Sequence, residues 1–187
     1  MKFFLFGIVA TLVMLGLIGY VGITQGLLVP ANADARPGRL ERWAASASLH
    51  ATLAREVSSS PSPVAQNDEN LEAGIKLYAV NCAACHGVAD ARPSTIGFGL
   101  YQRAPQLAKD GVEDDPPGVT YWKVKHGIRL TGMPSFGRTL DENQIWQIAL
   151  FLKHMDSLPA GPQKLWKAAK NPVALVPTDQ LPKETRK

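Results

Sequence analysis

Cysteine is almost missing from this chain. Its 187 residues include two, Cys82 and Cys85, both inside Asn81-Cys82-Ala83-Ala84-Cys85-His86-Gly87. With His86 they supply three nitrogen or sulfur donors where a structural zinc site usually takes four, and the adjacent Cys85 and His86 are poorly placed to face one tetrahedral ion. A disulfide between them would close a tiny loop and add little. A strand pattern is missing ahead of Cys82, which removes the βαβ setting of a thioredoxin-type dithiol. Internal repetition at a period of 20–50 residues is missing, so this is no solenoid. Charge is missing from Phe3 to Val29, 27 residues in a row.

Basic character is also missing from the middle of the chain. The net charge of +4 divides into +2 over residues 1–67, −2 over 68–158 and +4 over 159–187. The basic excess thus lies at the ends, mostly in a proline-punctuated tail. Nucleic-acid binding needs basic residues clustered on a folded element, and is excluded on that ground.

What is present begins with the uncharged run. It exceeds the roughly 20 residues that span a bilayer's hydrocarbon core, and Pro30 marks its end. Residues 1–30 therefore read as an N-terminal transmembrane anchor. The alternative is a signal peptide cleaved after Ala33, for which Ala31-Asn32-Ala33 has the A-x-A form. Length favours the anchor, because secretory apolar regions run about 7–15 residues. Arg36, Arg39 and Arg42 come just after the run and by charge bias alone would place the downstream chain in the cytoplasm. That bias is weak where a whole domain lies beyond the span.

Residues 31–67 hold a short amphipathic helix over 38–56, with Leu40, Trp43, Ala47, Ala51 and Ala54 at spacings of three and four, and then a Ser/Pro linker. The helix would lie on a membrane surface, pack on the next domain, or serve as a spacer. A folded domain spans 68–158. Asn67 or Asp68 caps its first helix, whose apolar positions lead to Cys82. Residues 87–117 read as loop with a short helix around Gln102–Lys109. Residues 117–128 read as a second helix, with Val119, Trp122 and Val124 facing inward. Gly132 and Pro134 bracket Met133 and forbid a regular helix there. Thr139-Leu140-Asp141-Glu142 has the form of a capping box before the last clear helix, which Pro159 closes. Residues 159–187 read as a short helix over Gln163–Lys170 and a basic, disordered-looking tail.

Covalent haem attachment uses every residue of the Cys-x-x-Cys-His motif. Cys82 and Cys85 lie on one side of a helical turn, so both thiols can add to the vinyl groups of one porphyrin, and His86 then projects towards the iron. The chain resembles a class I (mono-haem) c-type cytochrome, membrane-anchored and bacterial, over about residues 68–158. The resemblance rests on Gly74-x-x-x-Tyr78-x-x-x-Cys82-x-x-Cys85-His86, Ala104-Pro105-Gln106-Leu107, the Gly132-Met133-Pro134 loop and the aromatic-bearing final helix. It implies an all-α fold, three to five helices around one covalent haem c, after the transmembrane helix. It implies Met133 as the second axial ligand of the iron beside His86. Thioether ligation suits low-spin iron, and Met/His ligation raises the reduction potential. It implies that Pro105 offers its carbonyl to the other nitrogen of His86, and that Gly74 and Tyr78 sit where the first helix crosses the last, Tyr78 against Ile148 or Phe151. Tyr121, Trp122 and Arg129 are candidates for the haem propionates. Met155, His154, His126 and His50 read as core or surface residues.

The expected function is one-electron transfer between a donor and an acceptor protein at the membrane or in the periplasm. No small-molecule substrate, nucleic acid or enzymatic activity is expected. The haem domain is expected on the periplasmic side of a bacterial inner membrane, or free in the periplasm after cleavage. Two alternatives stand beside it. One is a haem subunit of a larger respiratory or dehydrogenase complex, docked through residues 38–56 and the basic tail. The other is a peroxidase-like or gas-binding protein with a labile Met133.

Overall fold

The structure, a computed structural model, describes residues 2–28, 31–57 and 61–181. It divides into two units, Met1–Ala35 and Arg36–Lys187. The first contains helix α1, Lys2–Thr24, about 35 Å long at 1.5 Å per residue. That is long and apolar enough for a membrane span or a signal sequence. The helix stops well short of Pro30, which lies outside the described residues. Gly26, at a φ of 68°, turns the chain back, and the Leu27 and Leu28 amides bond the Gly22 carbonyl at 2.9 and 3.0 Å. A left-handed glycine therefore ends this helix.

The second unit is all-helical, with no strand among the described residues. Helix α2, Arg39–Glu56, buries none of its residues. It is joined to the rest by two exposed side-chain bonds, Tyr101 Oη to Glu41 Oε2 at 2.6 Å and Trp122 Nε1 to Glu56 Oε2 at 3.2 Å. Helix α3, Asp68–Asn81, starts at Asn67, whose side chain accepts from the Asn70 amide at 2.9 Å. Asp68 and Glu69 in its first turn complement the positive end of the helix dipole. Leu71, Gly74, Ile75 and Tyr78 recur at three and four and form its buried face.

Helix α4, Ala83–His86, comes next almost without a break. Residues 87–117 carry two short α-helices, α5, Thr95–Gly99, where only loop was expected, and α6, Leu107–Asp110, followed by a 3-10 turn, Val112–Asp114. Ser94 caps α5, accepting from the Gly97 amide at 2.9 Å. Helix α7, Pro117–His126, opens with its proline in the first turn, where a missing N–H costs nothing. It buries Thr120 and Val124; Val119 and Trp122 are only half-buried. Helix α8, Glu142–Lys153, is capped two residues later than the sequence suggested. Asp141, not Thr139, is the cap, accepting from the Gln144 amide at 2.8 Å while Gln144 Oε1 takes the Asp141 amide at 3.0 Å. Thr139 is occupied in ending the short turn Phe136–Arg138.

Helices α3 and α8 cross at Gly74. A Cβ there would fall inside the contact distance of the Gln147 carbonyl, and 2.9 Å from Phe151 Cβ. Only glycine admits this approach. It lets Tyr78 meet Phe151 edge-to-face, with ring centroids 5.4 Å apart. A third ring comes from beyond the expected domain. Helix α9, Ala160–Ala168, starts three residues before the sequence pattern suggested, and its Trp166 packs on Tyr78 at 5.5 Å and on Phe151 at 5.0 Å. The three aromatics sit at the centre of a core that also holds Leu71, Ile75, Val124, Ile145 and Ile148.

The basic tail expected after Pro159 is corrected here over its described part. Residues 160–181 fold against the domain, burying Pro162, Trp166, Val176 and Leu181. Beyond the short helix expected over Gln163–Lys170, apolar residues spaced among prolines and lysines gave no helical or strand period, so their packing was invisible in sequence. Residues 182–187 lie outside the described part.

Substituting Gly74→Ala should cost about 3 kcal/mol, the upper range for overpacking, because the obstructing atom is backbone and cannot rotate away. Chemical denaturation of the two proteins measures this. A loss below about 1 kcal/mol would mean the crossing is looser than described.

Candidate functional site

Cys82 is the residue between α3 and α4, and α4 ends at Gly87, whose φ is 75°. Four residues are too few to satisfy their own carbonyls. The Cys85 and His86 amides bond the Cys82 carbonyl at 3.0 and 2.9 Å, and the Gly87 amide bonds that of Ala83 at 3.0 Å. Side-chain donors from four separate segments also reach the carbonyls of this turn. Asn171 Nδ2 donates to Ala83 O at 3.0 Å, Ser94 Oγ donates to Ala84 O, Gln106 Nε2 donates to Cys85 O at 3.3 Å, and Tyr78 Oη donates to Gly87 O at 2.9 Å. Gly97 lies so close beneath the Cys85 carbonyl that no side chain fits at that position.

His86 is fixed from the other side. Its Nδ1 lies 2.9 Å from the Pro105 carbonyl oxygen. A carbonyl only accepts, so Nδ1 carries the proton and Nε2 keeps its lone pair. Burial holds the imidazole below its usual pKa, partly opposed by the Pro105 bond. The ring is therefore neutral near pH 7, the state in which histidine binds a metal. The Pro105 segment is itself held, with the Ala104 amide on Gly97 O at 3.1 Å and the Gln106 amide on Asp110 Oδ2 at 2.6 Å. Gln106 Oε1 is buried and without a donor.

Both cysteines are unpaired, Cys82 buried and Cys85 half-buried. Burial, and then the neighbouring Cys85, push the Cys82 thiol up to about 12, and burial also raises Cys85. A redox dithiol needs the reverse, a thiol lowered so that thiolate forms near neutral pH. Among the described residues, no three His, Cys, Asp or Glu side chains gather as they would around a metal ion.

Met133 sits on an irregular stretch between α7 and α8, half-buried and packed on the core. Gly127, at a φ of 68°, starts this stretch, and a Cβ there would lie 2.6 Å from Pro134 and 2.7 Å from the Met133 carbonyl. Thr131 Oγ1 donates to Ile128 O at 2.6 Å and accepts from the Met133 amide at 3.1 Å, while the Ile128 amide bonds Met133 O at 3.2 Å. Leu130 has a φ of 62° and is 85% exposed. Such a conformation is uncommon outside glycine and asparagine.

The other candidates are dispersed. Tyr121 stacks on Trp146 at 4.2 Å, and its hydroxyl accepts from Lys125 Nζ at 3.1 Å. The Trp122 indole N–H is on the Glu56 carboxylate. Arg129 is exposed. Met155 is buried in the core, and His50 and His126 are exposed. Glu113, Asp114 and Asp115 form an acidic stretch ahead of α7, and Asp115 Oδ2 lies 2.6 Å from Lys123 Nζ.

A family model described as "Cytochrome C oxidase, cbb3-type, subunit III" matches residues 69–152. The chain carries a c-type cytochrome domain. A comparison with curated proteins gives no match. The cytochrome domain accounts for the two cysteines in Cys-x-x-Cys-His spacing, and it implies covalent haem c and redox partners. Two unpaired thiols and a neutral imidazole with a free Nε2 are donors that fit this group, and Met133 offers a thioether on the stretch between α7 and α8. Sequence reasoning missed Ser94, Gln106, Asn171 and the hydroxyl of Tyr78 as supports of the Cys-x-x-Cys-His turn. One signal was available. Asn171-Pro172 is a turn-forming pair, and Asn171 Oδ1 accepts from the Val173 amide at 3.0 Å.

Replacing Tyr78→Phe should destabilise the domain by about 1–3 kcal/mol, because the buried Gly87 carbonyl is left without a donor while the ring packing is kept. Equilibrium unfolding checks this. Unchanged stability would mean that water takes the place of the hydroxyl.

Proposed function

We propose that this protein is a one-electron carrier in which Cys82 and Cys85 hold one haem c and His86 and Met133 ligate its iron. The observation that carries the reading is His86. Its ring is clamped through Nδ1 by the Pro105 carbonyl, which leaves Nε2 as the only ligating atom and fixes its direction. Attachment needs no oxidant: each thiol adds across a vinyl group, sulfur to one carbon and its hydrogen to the other. When bound, haem c supplies an Fe(III)/Fe(II) couple, and methionine with histidine keeps its potential high. The chain's own part is to keep His86 neutral, orient it, exclude water with the apolar core, and hold Met133 on a loop that Gly127 and Pro134 prevent from becoming helical. Tyr121, Trp122 and Arg129 are the residues proposed for the propionates.

With both axial positions filled by side chains, no substrate binds iron, and the protein acts as a carrier and not an enzyme. The haem domain lies on the periplasmic side of an inner membrane, tethered by α1. A second reading has one specific support. The matching family is described as an oxidase subunit, so the domain would serve as a bound subunit of a larger complex, with α2 as a docking element.

The purified protein should gain the mass of one covalent haem, show the methionine–iron charge-transfer band when oxidised, and bind no carbon monoxide when reduced. Met133→Ala should abolish the band and open the iron to carbon monoxide. Persistence of the band in that variant would remove Met133 from the ligand set, and rapid carbon monoxide binding by the native protein would overturn the carrier role. Intact mass also decides the anchor: loss of residues 1–33 would refute it.

A further inference from the structure

The family match ends at Leu152, yet the fold continues to Leu181, and this added segment lies against the Cys-x-x-Cys-His turn. We propose that residues 159–181 form a strap that positions the haem-bearing turn, with Asn171 as its positioning residue. This rests on the haem c reading above and adds to it a part of the chain outside the matched domain.

Three contacts carry the inference. Asn171 Nδ2 donates to Ala83 O at 3.0 Å, the same oxygen that takes the Gly87 amide at 3.0 Å. The last backbone bond of α4 and the strap therefore share one acceptor. The orientation of the Asn171 amide is unambiguous, since its oxygen accepts from the Val173 amide at 3.0 Å and its nitrogen faces a carbonyl. Next, Ser94 and Leu175 form an isolated antiparallel bridge, with the Thr95 amide on Ala174 O at 2.9 Å and the Val176 amide on Pro93 O at 3.0 Å. That bridge holds Ser94, whose hydroxyl donates to Ala84 O. Finally, Trp166 packs edge-on against Tyr78, whose hydroxyl holds Gly87 O. Three carbonyls of the turn thus depend, directly or through one neighbour, on residues 166–176.

The strap is a built element of the fold. Trp166, Val176 and Leu181 are 5%, 4% and 8% exposed, and Ser94 is fully buried beneath it. Its consequence for chemistry runs through His86 and Cys85. A turn whose carbonyls are held keeps the imidazole and the thioether sulfur in one geometry and keeps water off the polar backbone behind them. Both hydration and ligand orientation tune an iron couple.

The test uses the full-length holoprotein and its Asn171→Ala, Asn171→Asp and Gln163→Ala variants. Asn171→Asp keeps the size and the acceptor for Val173 but removes the donor. Gln163 is exposed on α9 and serves as the control. In both Asn171 variants, amide exchange in a peptide covering Cys82–Val88 should rise roughly three- to tenfold, the weight of one net hydrogen bond, while exchange in α8 stays as it was. The midpoint potential should fall, further for Asp than for Ala, because water and negative charge near the turn favour ferric iron. Gln163→Ala should change neither. An unchanged potential and unchanged local exchange in Asn171→Ala would overturn the proposal, as would a rise in exchange spread evenly over the chain. Should Asn171→Ala fail to accumulate, Asn171→Asp alone decides by the same two measurements. A native protein without covalent haem would refute the haem reading instead, and the exchange comparison would still test the strap.

Discussion

A helix of four residues cannot satisfy its own carbonyls, and the Cys-x-x-Cys-His turn is such a helix. Everything around it answers that deficit. Tyr78 comes from α3, Ser94 from the start of α5, Gln106 from the segment that also presents Pro105, and Asn171 from the carboxyl-terminal extension. An unmet buried carbonyl costs more than a made bond returns, so these donors are as much a requirement of the fold as an addition to it. The same requirement explains the glycines. Gly87 turns the chain out of α4, and Gly97 brings α5 close enough for Ser94 to reach.

The two candidate ligands are held by different means. The turn that carries His86 is held by donors from several elements, and the His86 ring itself is fixed through Nδ1 by the Pro105 carbonyl. Met133 is held by its own neighbours, through the Thr131 hydroxyl, the Ile128 amide and the tight approach of Gly127 to Pro134. The first arrangement is long-range and the second is local. Loops secured locally move at lower cost than turns secured across a core, so any mobility near the site belongs on the Met133 side.

The elements legible in the sequence were those with a period or a cap. Leu71, Ile75 and Tyr78 announced α3, Ile145, Ile148 and Leu152 announced α8, and Gly74 announced a close crossing. The Cys-x-x-Cys-His motif was legible because its chemistry is distinctive, and Pro105 because the family resemblance placed its carbonyl against His86, where the structure has it. What was not legible lacked either mark. Helix α5 is five residues with two glycines, and only Ser94 hinted at it. The cap of α8 was read two positions early, because Thr-x-x-Glu and Asp-x-x-Gln overlap there and only the preceding turn decides between them. The extension after Pro159 has apolar residues at irregular spacing and a basic charge, the profile of a solvated tail. Its structure comes from tertiary contacts such as Trp166 with Tyr78 and Phe151 and Asn171 with Ala83, which no local pattern encodes.

That distance has a consequence for the order in which the molecule is assembled. Asn171 and Ala83 are 88 positions apart, and closing a loop of that length unaided costs about 4 kcal/mol of chain entropy. One hydrogen bond returns about 1 kcal/mol, so the contact cannot form early or alone. It becomes favourable only after α3 and α8 have crossed and Trp166 has found the aromatic pair, since those steps have already brought the ends together. The Asn171 bond to the Ala83 carbonyl, which the Gly87 amide already holds, is therefore a late event in folding. The turn that carries the histidine reaches its final rigidity only when the last-synthesised part of the domain has docked, so a chain cut short before Asn171 would fold its core and still leave that turn loose.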